Sequence, residues 1–173
     1  MQQKHSAWVA LGVICFSISV ASYLNSLQAR TTDFEFVTPD AQVISSLDSL
    51  EYAVYKQINN HRVKKGLPPL VLNSQFIEQA RLDSRLLASN QIALTKEEVS
   101  KTNRALNNLP HQGISTLIAW NQGYINPAQI TVDAWLADKT SINSIEGQYK
   151  VTGVGIARNA AGKYYITQIL LRP

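Results

Sequence analysis

Cysteine is almost missing from this chain. Of 173 residues only Cys15 is a cysteine, and it sits inside an uncharged N-terminal run. The rest of the chain therefore folds without disulfides and without cysteine metal ligands. A glycine-rich phosphate loop, a paired-cysteine motif and an HExxH sequence are also absent. Their absence removes the usual signatures of nucleotide hydrolysis, thiol redox chemistry and zinc proteolysis. There is no internal repeat and no low-complexity tract. Charge is modest, at a net +4. Lys56, Arg62, Lys64 and Lys65 cluster near the end of one predicted helix and read as a solvated basic face. Nothing interleaves basic and aromatic residues in the way a nucleic-acid partner requires, so nucleic acid is not an expected ligand.

What is present begins with an apolar leader. Residues 6–29 carry no charge, and residues 7–24 are its apolar core. That is the pattern of a signal peptide or of a single transmembrane anchor, with Val20-Ala-Ser22 a tolerable cleavage site. The remaining chain is expected outside the cytoplasm, either tethered to the membrane or secreted. Residues 30–44 lack a period and read as a linker. A single domain is expected over residues 45–173.

Within that domain the periodicity predicts helices and strands in turn. Ser45 opens a first helix whose buried stripe is Leu47, Leu50, Val54 and Ile58, and which Gly66 and Pro68-Pro69 end. Leu70-Val-Leu72 is a short extended piece. Asn73 or Ser74 caps a second helix with Ile77, Ala80, Ser84, Leu87 and Ala88 on one face. Thr95-Lys-Glu-Glu98 is a capping-box pattern for a third helix, stopped by Pro110. Residues 114–120 are apolar enough for a strand. Asn126-Pro127 starts a fourth helix through Val132, Trp135 and Leu136, and an irregular polar link follows.

The closing stretch organises the rest. Residues 149–158 and 164–171 read as an antiparallel hairpin turned at Asn159-Ala-Ala-Gly162. In the second strand Tyr165, Ile169 and Leu171 line one face, and Tyr164, Ile166 and Leu170 line the other. A strand apolar on both faces lies between two layers. Gly153 and Gly155 flatten one face of the first strand, which marks close approach of another backbone or a bulge. The predicted fold class is α+β, a three-layer α/β/α sandwich with a mainly antiparallel central sheet.

Several phrases together resemble the CAP superfamily, also called the SCP domain family of secreted proteins. Ile58-Asn-Asn-His-Arg62-Val-Lys-Lys-Gly66-Leu-Pro-Pro-Leu70 resembles the family's first-helix signature. Gln79-Ala80-Arg-Leu-Asp-Ser84-Arg-Leu-Leu-Ala88 resembles its second helix. Leu117-Ile-Ala-Trp120-Asn-Gln-Gly-Tyr124 resembles the strand and loop of its Glu-Asn-Ile-Ala motif. Ala134-Trp135-Leu136 and Thr152-Gly-Val-Gly155-Ile-Ala157 resemble its Trp-Met helix and Gly-Val-Gly strand. The resemblance spans residues 47–173 and is closest to short bacterial members.

Members of this kind often hold two His and two acidic residues around a central cleft, and some bind a divalent metal there. Carried over by position, the resemblance puts Lys96 and Ser141 where the histidines stand. It puts Thr116 and Asp138 where the acidic residues stand, and Asp83 where bacterial members have a further histidine. Only Asp138 keeps ligand chemistry. A protonated lysine has no lone pair, and Thr116 and Ser141 are weak neutral donors, so no metal or other cofactor is expected. His111 precedes the strand carrying Thr116 and is placed to overhang the cleft. Trp120, Tyr124 and Trp135 read first as core and second as groove-lining aromatics.

The leading expectation is thus an exported or membrane-tethered binding module, not an enzyme. Its candidate cleft is Lys96, His111, Thr116, Asp138 and Ser141, and its ligand a cell-envelope component, a lipid or another protein. One alternative is a hydrolase with a rearranged His111, Asp138 and Ser141 site. Another is a structural ectodomain of a membrane partner.

Overall fold

The structure is a computed structural model that describes residues 12–18, 49–93, 98, 101, 106 and 111–173. The linker and most of the leader lie outside the described residues. So does the helix expected to open at Thr95, apart from Glu98, Lys101 and Leu106. Among the described residues no helix is long and apolar enough to cross a membrane.

The elements run β1 (Gly12–Ile18), α1 (Ser49–Lys64), β2 (Val71–Leu72), α2 (Ser74–Ala88), β3 (Gly113–Asn121), α3 (Pro127–Ala137), α4 (Lys139–Ile145), β4 (Val151–Arg158) and β5 (Tyr164–Arg172). Ser45 and Leu47, the expected opening of α1, lie outside the described residues; the local signals within them act where the sequence puts them. Val54, Ile58 and Arg62 recur at four-residue spacing on the buried side of α1. Gly66, at φ 74°, takes the left-handed turn that ends the helix. Asn73 caps α2 by accepting from the N–H groups of Gln75 at 2.9 Å and Phe76 at 3.4 Å. Asn126 accepts from Gln129 N–H at 3.2 Å, and Pro127 follows in the first turn of α3.

The strands form one sheet in the order β1-β3-β5-β4-β2. All pairings are antiparallel except β2 with β4, which is parallel. The two-faced strand β5 is the centre of the order, covered on both sides as its sequence requires. On one face Phe76 and Ala80 of α2 pack with Ile114, Val151, Ile169 and Leu171. On the other, Val54 and Ile58 of α1, Val132 and Trp135 of α3 and Ile145 of α4 pack with Leu117, Ala119, Val154, Ile166 and Leu170. This is the three-layer arrangement read from the pattern.

Two features differ from that reading. The polar link after Trp135 is not irregular, because residues 139–145 form α4. Its Ser, Thr and Asn content argues against a helix, and it forms because Asp138 caps it and because it buries Ile145. Second, Gly12–Ile18, in the predicted leader, lies along β3 as an edge strand. A short apolar run has the composition of a buried strand as well as of a membrane segment.

The open side of β4 is closed by a side chain. Strand β2 covers only Val71 and Leu72 against Val151 and Thr152. Further along, Ile156 N–H donates to Glu51 Oε1 at 3.3 Å. Glu51 is buried and is gripped by Arg81, whose Nη2 lies 2.7 Å from Oε2. An acidic residue of α1 and a basic residue of α2 thus meet around the sheet edge.

Gly153 and Gly155 let α2 lie directly on β4. A Cβ on Gly153 would collide with the backbone of Phe76 and Ile77, and one on Gly155 with the backbone of Ala80 and Arg81. Ser84 fastens the same contact by donating to Gly155 O at 2.8 Å and bonding Thr167 Oγ1 at 2.9 Å. Gly155→Ala is expected to destabilise the domain by about 3 kcal/mol, because backbone cannot yield as a side chain can. Urea unfolding measures this, and an unchanged midpoint would mean that α2 and β4 do not meet backbone to backbone.

Candidate functional site

The junction of α3 and α4 is built on Asp138. Its backbone is extended (φ −86°, ψ 124°), and its N–H still donates to Ala134 O, so one residue ends the first helix and begins the next. Its Oδ2 accepts from the backbone N–H of Ser141 and from the Ser141 hydroxyl, each at 2.8 Å. These two bonds, the backbone one first, hold the Asp138 carboxyl below its usual range. Ser141 itself is completely buried. One turn further, Ser144 Oγ accepts from Ser115 Oγ at 3.0 Å, tying α4 to β3.

The sheet separates residues that transfer by motif position groups together. Thr116 pairs with Ile169, and Ile169 and Ile114 lie in the cluster under α2. Ser115 alternates to the other face and meets α4. Thr116 is therefore on the α2 side, while Asp138 and Ser141 are on the α3–α4 side. Lys96 lies outside the described residues. His111 stands just before β3; its Nδ1 is buried with no hydrogen-bond partner among the described residues. Burial lowers the imidazole's pKa and favours its neutral form.

This geometry limits the chemistry. The Ser141 hydroxyl is spent on a carboxylate with no imidazole between them, and no hydrogen bond joins His111 to Ser141 or Asp138 among the described residues. A nucleophile needs that base within hydrogen-bond reach and needs access to substrate. For a divalent metal the donor set is also wrong. Asp138 Oδ2 already accepts two hydrogen bonds, and Thr116 is across the sheet. Among the described residues no three His, Cys, Asp or Glu side chains gather into a ligand set. Of the candidate positions, those among the described residues do not fit the metal that the fold family suggests.

Some important side chains are hidden in the sequence. Arg62 belongs by composition to a solvated basic face, yet it is 1 % exposed. It donates to the carbonyls of Pro68, Ile145, Gly147 and Tyr149. Its four-residue spacing from Ile58 is the available signal. His61 stands at the edge of the domain, with Nε2 2.8 Å from Glu146 Oε1. Trp135 is fully buried core. Trp120 is half-buried, with Lys163 Nζ 3.5 Å from its ring centre. It lines a cavity of about 340 Å³ with Leu87, Ile92 and Tyr165.

A model of the CAP family, described as the cysteine-rich secretory protein family, matches residues 55–170. No curated protein sequence matches the chain. Three solved structures share its fold. A cysteine-rich secretory protein from Staphylococcus aureus is 20% identical with a TM-score of 0.54, over 72% of this chain and 38% of its own. An extracellular protein containing an SCP domain, from Bacillus anthracis, is 15% identical with a TM-score of 0.59, over 78% and 44%. An outer surface protein from Borrelia burgdorferi is 14% identical with a TM-score of 0.61, over 73% and 96%. The match thus spans less than half of the first two proteins and nearly all of the third.

Asp138→Ala should cost about 1 kcal/mol at neutral pH, the usual value of a helix N-cap. The lowered carboxyl pKa sets the pH dependence. The contribution is complete above the unfolded-state Asp value and is lost as pH falls through the folded-state value. Unfolding curves of wild type and variant should therefore converge on acidification. A constant gap between them down to the lowest pH would refute the charged cap.

Proposed function

This chain belongs to the cysteine-rich secretory protein (CAP) family, and from that premise we propose that it is an exported or membrane-tethered CAP module that acts by binding rather than by catalysis. The observation that carries the reading is the junction itself: Ser141 and Asp138 are bonded to each other, and the serine is buried in the fold. The resemblance puts an imidazole and a free carboxylate there. A hydroxyl held in this way contributes stability, not a metal ligand or a nucleophile. The ligand is then taken at a surface of the α/β/α scaffold, and a cell-envelope component, a lipid or a protein is the class that an exported module meets.

Location rests on the leader. Residues 6–29 have the uncharged, apolar character of a secretion signal or anchor. The similar folds described as extracellular or outer surface proteins agree with this. On this reading residues 12–18 leave the edge of β3, where they lie in the structure, whenever the leader crosses or stays in the membrane.

Two measurements test the reading. Calorimetric titration of the full chain, held in a neutral detergent, should show no saturable zinc binding in the micromolar range. Tight one-to-one binding would restore a metal centre and overturn the proposal. Fusion of alkaline phosphatase to the C-terminus should give an active enzyme in bacterial cells, because that reporter matures only after export. An inactive fusion that accumulates in the cytoplasm would remove the export claim.

A further inference from the structure

The outer edge of β3 is the least protected side of the sheet. The strand runs Gly113-Ile-Ser-Thr-Leu-Ile-Ala-Trp-Asn121, nine residues without a charge or a proline. Its register with β5 is unbroken from Gly113↔Arg172 to Asn121↔Tyr164, so it carries no bulge. Natural sheets keep an edge from pairing by charge, proline, a bulge or short length, and β3 has none of these. The other edge is managed. There β2 is two residues long, and beyond it Glu51 takes up the Ile156 N–H. β3 is thus a strand built to be covered on its outer side.

In the structure the cover is Gly12–Ile18, paired antiparallel over seven residues, with α4 lying against it. The site rests on the export reading, under which those residues leave with the leader. They vacate a slot with the main chain of β3 along one side and α4 over one face. Among the described residues no other strand borders it.

We propose that the occupant of this slot is β3 of a second copy of the chain. Every exported copy carries the same open edge, so one two-fold contact closes both, whereas a foreign strand closes one. Full antiparallel overlap of residues 113–121 with themselves puts the axis at Leu117. Ile114 then stands opposite Trp120, Ser115 opposite Ala119 and Thr116 opposite Ile118, with no like charges opposed. The axis is perpendicular to the sheet, so both copies of α4 lie on one face. Ser144 ties α4 to Ser115, two residues from the axis. At about 3.3 Å per residue the two helices sit about 13 Å apart, more than the roughly 10 Å width of one helix. Each copy contributes β2, β4, β5 and β3, and the two β3 strands join them into one continuous sheet.

The full chain, purified from the cell envelope in a neutral detergent, tests this. Sedimentation should give twice the mass of one chain. Leu117→Cys in a Cys15→Ser background should form a disulfide between two copies on exposure to copper phenanthroline, and Cys15→Ser alone should form none. Ser115→Cys with Ala119→Cys, in the same background, changes few core atoms and should cross-link copies even if Leu117→Cys does not fold. A monomeric wild type overturns the proposal. So does a dimer in which neither variant cross-links, or a cross-link from the introduced thiols to a different protein. Failure of the export reading has its own signature, because Cys15 stands opposite Leu117 in the β1–β3 register. Leu117→Cys with Cys15 retained then closes a disulfide within one monomeric chain, which overturns the premise along with the proposal.

Discussion

Arg62 is almost wholly buried in the last turn of α1, and its three nitrogens donate to four backbone carbonyls. Those carbonyls come from the exit of α1, the end of α4 and the approach to β4. A buried charge is tolerated only when its donors are matched, and here backbone carbonyls do the matching. The consequence is geometric. Helix α4 is held at its far end by Arg62 and at its start by Asp138. The link from Glu146 to Tyr149 is held by the same guanidinium.

On the opposite face, the constraint is the absence of side chains. Gly153 and Gly155 let α2 rest on the backbone of β4, and Ser84 bonds across that contact to both β4 and β5. Together the glycine contact and the arginine clamp clasp the central hairpin between its two helical layers. The CAP scaffold is thus retained by interactions that do not involve its cleft.

Much of this is legible along the chain. The caps at Asn73 and Asn126, the stop at Gly66, the two-faced strand β5 and the two glycines of β4 each act through neighbours a few residues away or through a strict two-residue alternation. Helix α4 is not legible, because Ser, Thr and Asn are weak helix formers and its stability comes from a cap and from burial of Ile145. The candidate cleft is only partly legible. Asp138 and Ser141 are three apart and meet within one helical turn. Thr116 is grouped with them by position in a motif, and strand alternation puts it behind the sheet while Ser115 faces α4.

The N-terminal segment shows the same divide. Its apolar, uncharged composition is written in the residues, but that composition suits a membrane span and an edge strand equally, and pairing with β3 is a relation between segments about a hundred positions apart. The sequence alone determined α1, α2, α3 and the strands β2 to β5, which faces are apolar and which family the order of motifs belongs to, because those properties depend on local geometry. Only the tertiary structure decided that Arg62 is a buried clamp and not a surface charge, and that α4 is tied to β3 through Ser144 and Ser115. Both depend on backbone and side chains brought close in space from distant parts of the chain.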